Sequence, residues 1–215
     1  MGKTVTICFT NNKGGSGKST TCSNLGAAMA RAGKKVLLVD GDMQLNLSLA
    51  FFPEDWVLEH AQGEKNLYHA IGKQEDLTDY IVHTPYENLD LVPSSTLMSS
   101  IEYELFTKWQ REFILRKCLQ KIKDSEVYDY ILIDTPPMAS VIDAAIVGGV
   151  CDGAILVIED GMVGYRTAQK VKAQLEKSGS RVLGAVLNKV EMKKGKYYSY
   201  DKYGKYSKYG RYGKY

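Results

Sequence analysis

No stretch of this sequence stays apolar for long enough to cross a bilayer. Its most apolar segment, residues 141–158, is interrupted by Asp143, Gly148, Gly149, Asp152 and Gly153, whereas a span needs ~20 mostly apolar residues. No secretion signal is read at the amino terminus, because a strand pattern is under way by Val5. Cysteine is sparse: Cys8, Cys22, Cys118 and Cys151 are scattered and form no CxxC pair. The three histidines, His60, His69 and His83, show no ligand spacing. A disulfide scaffold and a zinc module are therefore not expected. The thiols read as free, in a cytoplasmic protein. Net charge is small as well, +3 over 215 residues.

Apolar residues make up 44% of the chain and charged residues 25%, the balance of a globular protein rather than a disordered one. The small net charge conceals a division. Residues 193–215 hold eight Lys/Arg and one acid, Asp201, for +7, which leaves −4 for residues 1–192. The same segment holds eight of the fifteen tyrosines: Tyr197, Tyr198, Tyr200, Tyr203, Tyr206, Tyr209, Tyr212 and Tyr215. From Tyr200 they recur at every third position, a period that matches neither helix nor strand. With glycine and lysine throughout, this reads as a low-complexity, disordered tail. The expected organisation is one domain over residues 1–192 and a basic, tyrosine-rich tail over 193–215.

Within the body, short apolar runs at residues 5–10, 35–39, 89–92, 130–133, 154–158 and 182–187 alternate with helix-like stretches at 19–32, 66–71, 101–123 and 166–177. Several runs are apolar at nearly every position, which suits parallel strands covered on both faces. The expected fold is α/β, a doubly wound and mainly parallel sheet. On the helix at 101–123, Trp109 and Phe113 are expected in the core.

The first strand runs into Asn11-Asn12-Lys13-Gly14-Gly15-Ser16-Gly17-Lys18-Ser19-Thr20 and then a helix. This is a P-loop. Its glycines let backbone N–H groups turn inward around phosphates, and the helix N-terminus adds its positive end. Residues 12 to 20 are the expected nucleotide cradle, with Lys18 reaching the β- and γ-phosphates and the Ser19 hydroxyl on Mg²⁺. The second strand ends Val39-Asp40-Gly41-Asp42-Met43, and the fourth ends Ile133-Asp134-Thr135-Pro136-Pro137. Carboxylates at the carboxyl ends of buried parallel strands stand where open α/β sheets bind ligands. Buried acids need compensation. Ser19, Asp40, Asp42 and Asp134 together are the expected Mg·ATP centre. Each acid alone could instead cap a helix. The last strand ends at Asn188, a candidate adenine reader whose plainer alternative is a strand-terminating turn residue.

The K-G-G-x-G-K-[ST] form resembles the deviant Walker A of the MinD/ParA group of P-loop ATPases. That resemblance implies that Lys13 reaches across a dimer to the partner's phosphates. Residues 1 to about 134 look more like ParA-type partition ATPases, on KGGSGKSTT, on DGDMQLNLS with Gln44 and Asn46, and on the helix with Arg111, Glu112, Leu115 and Arg116. From about 134 onward the chain resembles bacterial capsule and exopolysaccharide tyrosine kinases. The matching residues are Asp134-Thr135-Pro136-Pro137, Val141-Ile142-Asp143-Ala144-Ala145, Cys151-Asp152-Gly153, residues 183–189 and the tyrosine cluster. The chain thus reads as a mosaic. It departs from the kinases at Lys13-Gly14, where they usually carry Pro, and in having no Glu/Arg-rich helix before the first strand. It departs from the partition ATPases in its tyrosine tail.

The kinase resemblance implies ATP-dependent transfer to tyrosine, with the tail as phosphoacceptor. It also implies a homo-oligomer and a membrane adaptor that brings a cytoplasmic protein to the inner face of the membrane. Phosphorylation adds roughly −1.5 to −2 charges per tyrosine, enough to invert the sign of the tail. Asp40 is the expected acceptor of the tyrosine proton, with Asp42 and Asp134 around the metal. The competing reading is a ParA-like dimeric ATPase that positions DNA or other cargo. There Asp42 orients water, Lys13 acts in trans, and the tail's lysines and tyrosines meet nucleic acid. A nucleotide-switched scaffold without catalysis is a third.

Overall fold

The computed structural model describes residues 3–11, 13–106, 108–137, 149–177 and 179–191, and the backbone alone at residues 102 and 112. The tail, the motif at 141–145 and Asn12 lie outside the described residues. The chain forms β1 (Val5–Thr10), α1 (Lys18–Arg31), β2 (Val36–Asp40), α2 (Asn46–Leu49), α3 (Glu54–Gln62), α4 (Leu67–Lys73), β3 (Val82–His83), β4 (Leu89–Val92), α5 (Ile101–Leu105), α6 (Ile114–Ser125), β5 (Tyr130–Asp134), β6 (Gly153–Glu159), α7 (Tyr165–Lys177) and β7 (Val182–Asn188). The seven strands make one sheet in the order β3-β4-β2-β5-β1-β6-β7. Every pairing is parallel except the short antiparallel β3–β4 pair at one edge.

The run of apolar residues in each central strand serves two cores at once. In β2, Leu37 and Val39 face one helical layer with Ile131 and Ile133 of β5, under α4 and α6. Val36 and Leu38 face the other, with Leu132 and the α1 residues Cys22 and Ala30. A strand buried on both sides has no polar face to alternate with, hence its unbroken hydrophobicity. All four cysteines are buried free thiols within these layers.

The expected helix at 101–123 is not one helix. α5 ends at Leu105, a single 3-10 turn covers Arg111–Phe113, and α6 starts at Ile114. Gln110 takes a left-handed backbone, φ 55°, which no continuing helix allows. The α6 stripe of Ile114, Leu115, Cys118, Leu119 and Ile122 packs on the sheet. The residues before it do not share that register. Trp109 is 86% exposed and Phe113 39% exposed, so the expectation that they form core is overturned. The small elements α2, α3 and β3 are additions that the apolar pattern did not announce.

This contrast is open to measurement by urea unfolding. Leu119→Ala, in the fully buried stripe, should cost about 2–5 kcal/mol of stability. Trp109→Ala should stay within about 0.5 kcal/mol.

Candidate active site

β1 delivers the chain at its carboxyl end into the glycine loop, and α1 carries it away. Gly17 caps α1 in a left-handed conformation, φ 93°, with no side-chain cap and no acid in the first turn. The N-terminus of a fourteen-residue helix therefore meets the loop with its N–H groups uncommitted to an anion of the protein's own. Position 17 has a second constraint. A β-carbon there would lie 2.3 Å from the amide nitrogen of Asn188. That amide donates to the carbonyl of Ser16 at 3.0 Å, while its oxygen accepts the N–H of Lys189 at 2.9 Å. β7 thus reaches the loop through Asn188, and both ends of the proposed base reader are engaged on the protein.

Lys18 is buried at the start of α1, and its ammonium lies 3.5 Å from the carbonyl oxygen of Lys13. Burial lowers its pKa; Asp134 and Asp42 oppose that shift. Lys13 is exposed and turns to its own chain, donating to the Met162 carbonyl at 3.2 Å in the loop after β6.

The acids stand at the carboxyl ends of adjacent strands, where β2 and β5 place Asp40 opposite Asp134. Both are fully buried. Asp40 accepts from the Ser48 hydroxyl at 2.6 Å, the Ser48 N–H at 2.9 Å and the Asp42 N–H at 3.2 Å. Burial nevertheless pushes its carboxyl up to about 6. Asp134 is less provided for, since neither carboxyl oxygen has a hydrogen-bond partner among the described residues. Burial carries it to about 7; the nearby Ser19 hydroxyl and Lys18 ammonium pull down, while Asp40 and Asp42 push up. Between the two strands, the Gly41 N–H donates to the Asp134 carbonyl at 3.0 Å. A β-carbon at Gly41 would sit 2.6 Å from that same oxygen, so the turn admits glycine alone. Asp42 follows it and accepts from the Gln44 N–H at 3.1 Å.

A cleft of about 490 Å³ opens over the loop, lined by Gly14, Gly15, Gly17, Lys18, Ser19, Thr20, Asp42 and Pro137, with Gln44 and Asn46 at the α2 side. The buried, unpartnered carboxylate of Asp134 beside the Ser19 hydroxyl and Asp42 makes a hard, all-oxygen donor set. That set suits Mg²⁺, which keeps water and phosphate in its shell instead of filling a protein cage. No group of three His, Cys, Asp or Glu side chains placed to hold a metal occurs among the described residues. Ser48 escaped the sequence reading. Its signal was the need of a buried acid for a donor, met here by the first turns after β2.

A family model described as AAA domain matches residues 4–177. The chain belongs to this family. Within the AAA-domain family it is 35% identical over 194 residues to the tyrosine-protein kinase CpsD of Streptococcus agalactiae, covering 90% of this chain and 79% of CpsD. It is 42% identical over 137 residues to the sporulation initiation inhibitor protein Soj of Bacillus subtilis, covering 64% of this chain and 51% of Soj. Among solved structures, the kinase domain of Escherichia coli tyrosine kinase ETK superposes with a TM-score of 0.70 at 25% identity, over 92% of this chain and 72% of that one. The P-loop fold and the two resemblances read from the sequence are thereby established.

The buried acids of this AAA domain give a pH signature in the absence of nucleotide and metal. The folded pKa of Asp134, about 7, exceeds the value of 3.8 proper to an unperturbed carboxyl. Between those values the folded chain keeps a proton that the unfolded chain releases, so rising pH favours unfolding. Asp134→Asn should therefore be more stable than the parent at pH 8. The gain is of the order of 4 kcal/mol at most, from a rise of about three pH units, and it should shrink toward pH 4. Urea titrations at both ends of the range measure it, and a gap independent of pH would count against the assignment.

Proposed function

We propose that this chain is an ATP-dependent protein-tyrosine kinase that phosphorylates its own tyrosine cluster and regulates capsular or exopolysaccharide synthesis. The observation that carries the reading is the identity to CpsD spread over 90% of the chain, together with eight tyrosines in its last 23 residues. ATP phosphates would rest on the N–H groups of the loop and of α1, with Lys18 at the β- and γ-phosphates. Ser19 and Asp134 would hold Mg²⁺, which neutralises phosphate charge when bound, and Asp42 would stay free to take a proton. In the transfer, the tyrosine oxygen takes the γ-phosphoryl group, ADP leaves, and the phenol proton goes to a carboxylate. We assign that role to Asp42 rather than Asp40. Asp42 lines the cleft, whereas Asp40 is fully buried and accepts three hydrogen bonds. A homo-oligomer would let one copy's tail enter another's cleft, and a membrane adaptor would hold the cytoplasmic protein at the membrane face. No described helix is long and apolar enough to cross a membrane.

One observation favours a second reading, a ParA-like dimeric ATPase. Lys13 stands in the loop, and 64% of the chain aligns with Soj at 42% identity. Incubation with Mg·ATP followed by phosphosite mapping separates the two. The kinase reading expects phosphate on residues between Tyr197 and Tyr215 that is lost in Lys18→Ala. Release of inorganic phosphate with an unmodified tail, stimulated by DNA, would sink it. Lys13→Ala provides an independent comparison: the kinase reading expects tail phosphorylation close to the parent rate. Loss of dimer-dependent hydrolysis is the partition outcome.

A further inference from the structure

The segment between β4 and α6 carries apolar surface that neither the fold nor the nucleotide cleft uses. Ile101 and Leu105 of α5 are buried and anchor it to the core. The side chains between and after them turn outward. Tyr103 is 87% exposed, Phe106 71% and Trp109 86%, three large aromatics within seven residues. The Phe106 N–H donates to the Tyr103 carbonyl at 3.2 Å, and the Lys108 N–H to that of Leu105 at 3.0 Å. Glu104 is drawn away from the aromatics, accepting from the Tyr68 hydroxyl. Leu97, just before, is exposed as well.

Basic residues gather after Phe106, whereas Glu102 and Glu104 flank Tyr103, so residues 97–117 sum to +1. Residues 106–117 carry Lys108, Arg111, Arg116 and Lys117 against a single acid, Glu112, a net of +3 in a body whose total is negative. The Arg111 guanidinium lies 5.5 Å from the centre of the Phe106 ring. Lys108, Arg116 and Lys117 are exposed.

The segment leaves the carboxyl end of β4, and β4 runs parallel to β2, as β2 does to β5 and β5 to β1. It therefore leaves from the same end of the sheet as the glycine loop. Met43, directly after β2, and Met162, in the loop after β6, are exposed as well.

We propose that residues 97–117 form a docking surface for an anionic lipid bilayer, with Tyr103, Phe106 and Trp109 seated at the headgroup level and the surrounding lysines and arginines against lipid phosphate. Aromatic rings with a polar tip favour the bilayer interface, and Lys/Arg near it are drawn to anionic lipid. Nucleic acid also takes aromatics and cations, but the aliphatic Leu97 has no stacking role there and suits acyl chains. The surface is independent of the kinase reading and of the basic tail.

The full chain tests it in a Trp56→Phe background, which leaves Trp109 as the sole indole. Phosphatidylcholine vesicles containing phosphatidylserine should shift Trp109 emission to the blue and shield it from iodide, and phosphatidylcholine alone should not. Phe106→Ala with Trp109→Ala, both at exposed positions, should weaken co-sedimentation roughly tenfold or more. Lys108→Glu with Lys117→Glu keeps the aromatics and should weaken it similarly, with unfolding temperature unchanged. Vesicle binding with Trp109 emission unmoved would assign the attraction to the tail and overturn the proposal. An emission shift produced by single-stranded DNA but not by vesicles would overturn it in favour of nucleic acid.

Discussion

Two carboxylates stand side by side in the dry interior of the sheet, and much of the site follows from that. Asp40 and Asp134 are register partners at the ends of β2 and β5. Burying an ionised carboxylate without partners is costly, so each must be answered by something nearby. Asp40 is answered from within the chain: α2 exists to bring Ser48 back onto it, and the Gly41 turn brings the N–H of Asp42. Asp134 is left with the Ser19 hydroxyl and Lys18 at the mouth of the loop, and its carboxyl rises to about 7. The protein solves one buried charge itself and leaves the other to be completed from outside. Lys18 does not close the gap, because its ammonium lies against the Lys13 carbonyl and makes no hydrogen bond to the Asp134 carboxylate. A site built this way gains most when phosphate oxygens and a hard cation arrive together, as nucleotide binding requires.

The sheet was legible because its strands are apolar on both faces, a pattern with few competing explanations. The loop was legible because spacing, glycine content and strand–helix context all agreed. The helix break at Gln110 was not. The apolar positions at 101 and 105 and those from 114 onward each fit a helix, and nothing in composition marks the left-handed residue between them. Trp109 was misjudged for the same reason, since a large ring on a supposed amphipathic helix counts as core until the register is known. The Asn188–Ser16 bond was invisible because it joins segments 172 residues apart; Ser48, only eight residues from Asp40, was missed because no motif marks which hydroxyl after β2 returns to the acid. Asn188 could be placed near the nucleotide from its strand end, but not against the backbone of the loop.

The two resemblances also change in weight once their extents are known. Soj aligns over 64% of the chain. Yet CpsD aligns over 90%, so the kinase likeness reaches well into the region that first looked like a partition ATPase. The two likenesses overlap rather than meet at one boundary. A shared framework of this kind does not choose between water and tyrosine as the nucleophile. The groups that differ between the branches do, chiefly the tail and the residue at position 13.

Lys13 is the harder of these to reconcile, and its geometry bears on the point. The side chain is exposed and donates to the carbonyl of Met162. A solvent-exposed hydrogen bond of this sort is worth about 0.5–1.5 kcal/mol net, because water competes for both partners. Releasing Lys13 from Met162 is therefore cheap beside the gain from pairing an ammonium with a phosphate. The bond in cis does not prevent service in trans. What it does is tie the glycine loop to the loop after β6, so the position of Lys13 in the free chain does not by itself choose between the two branches.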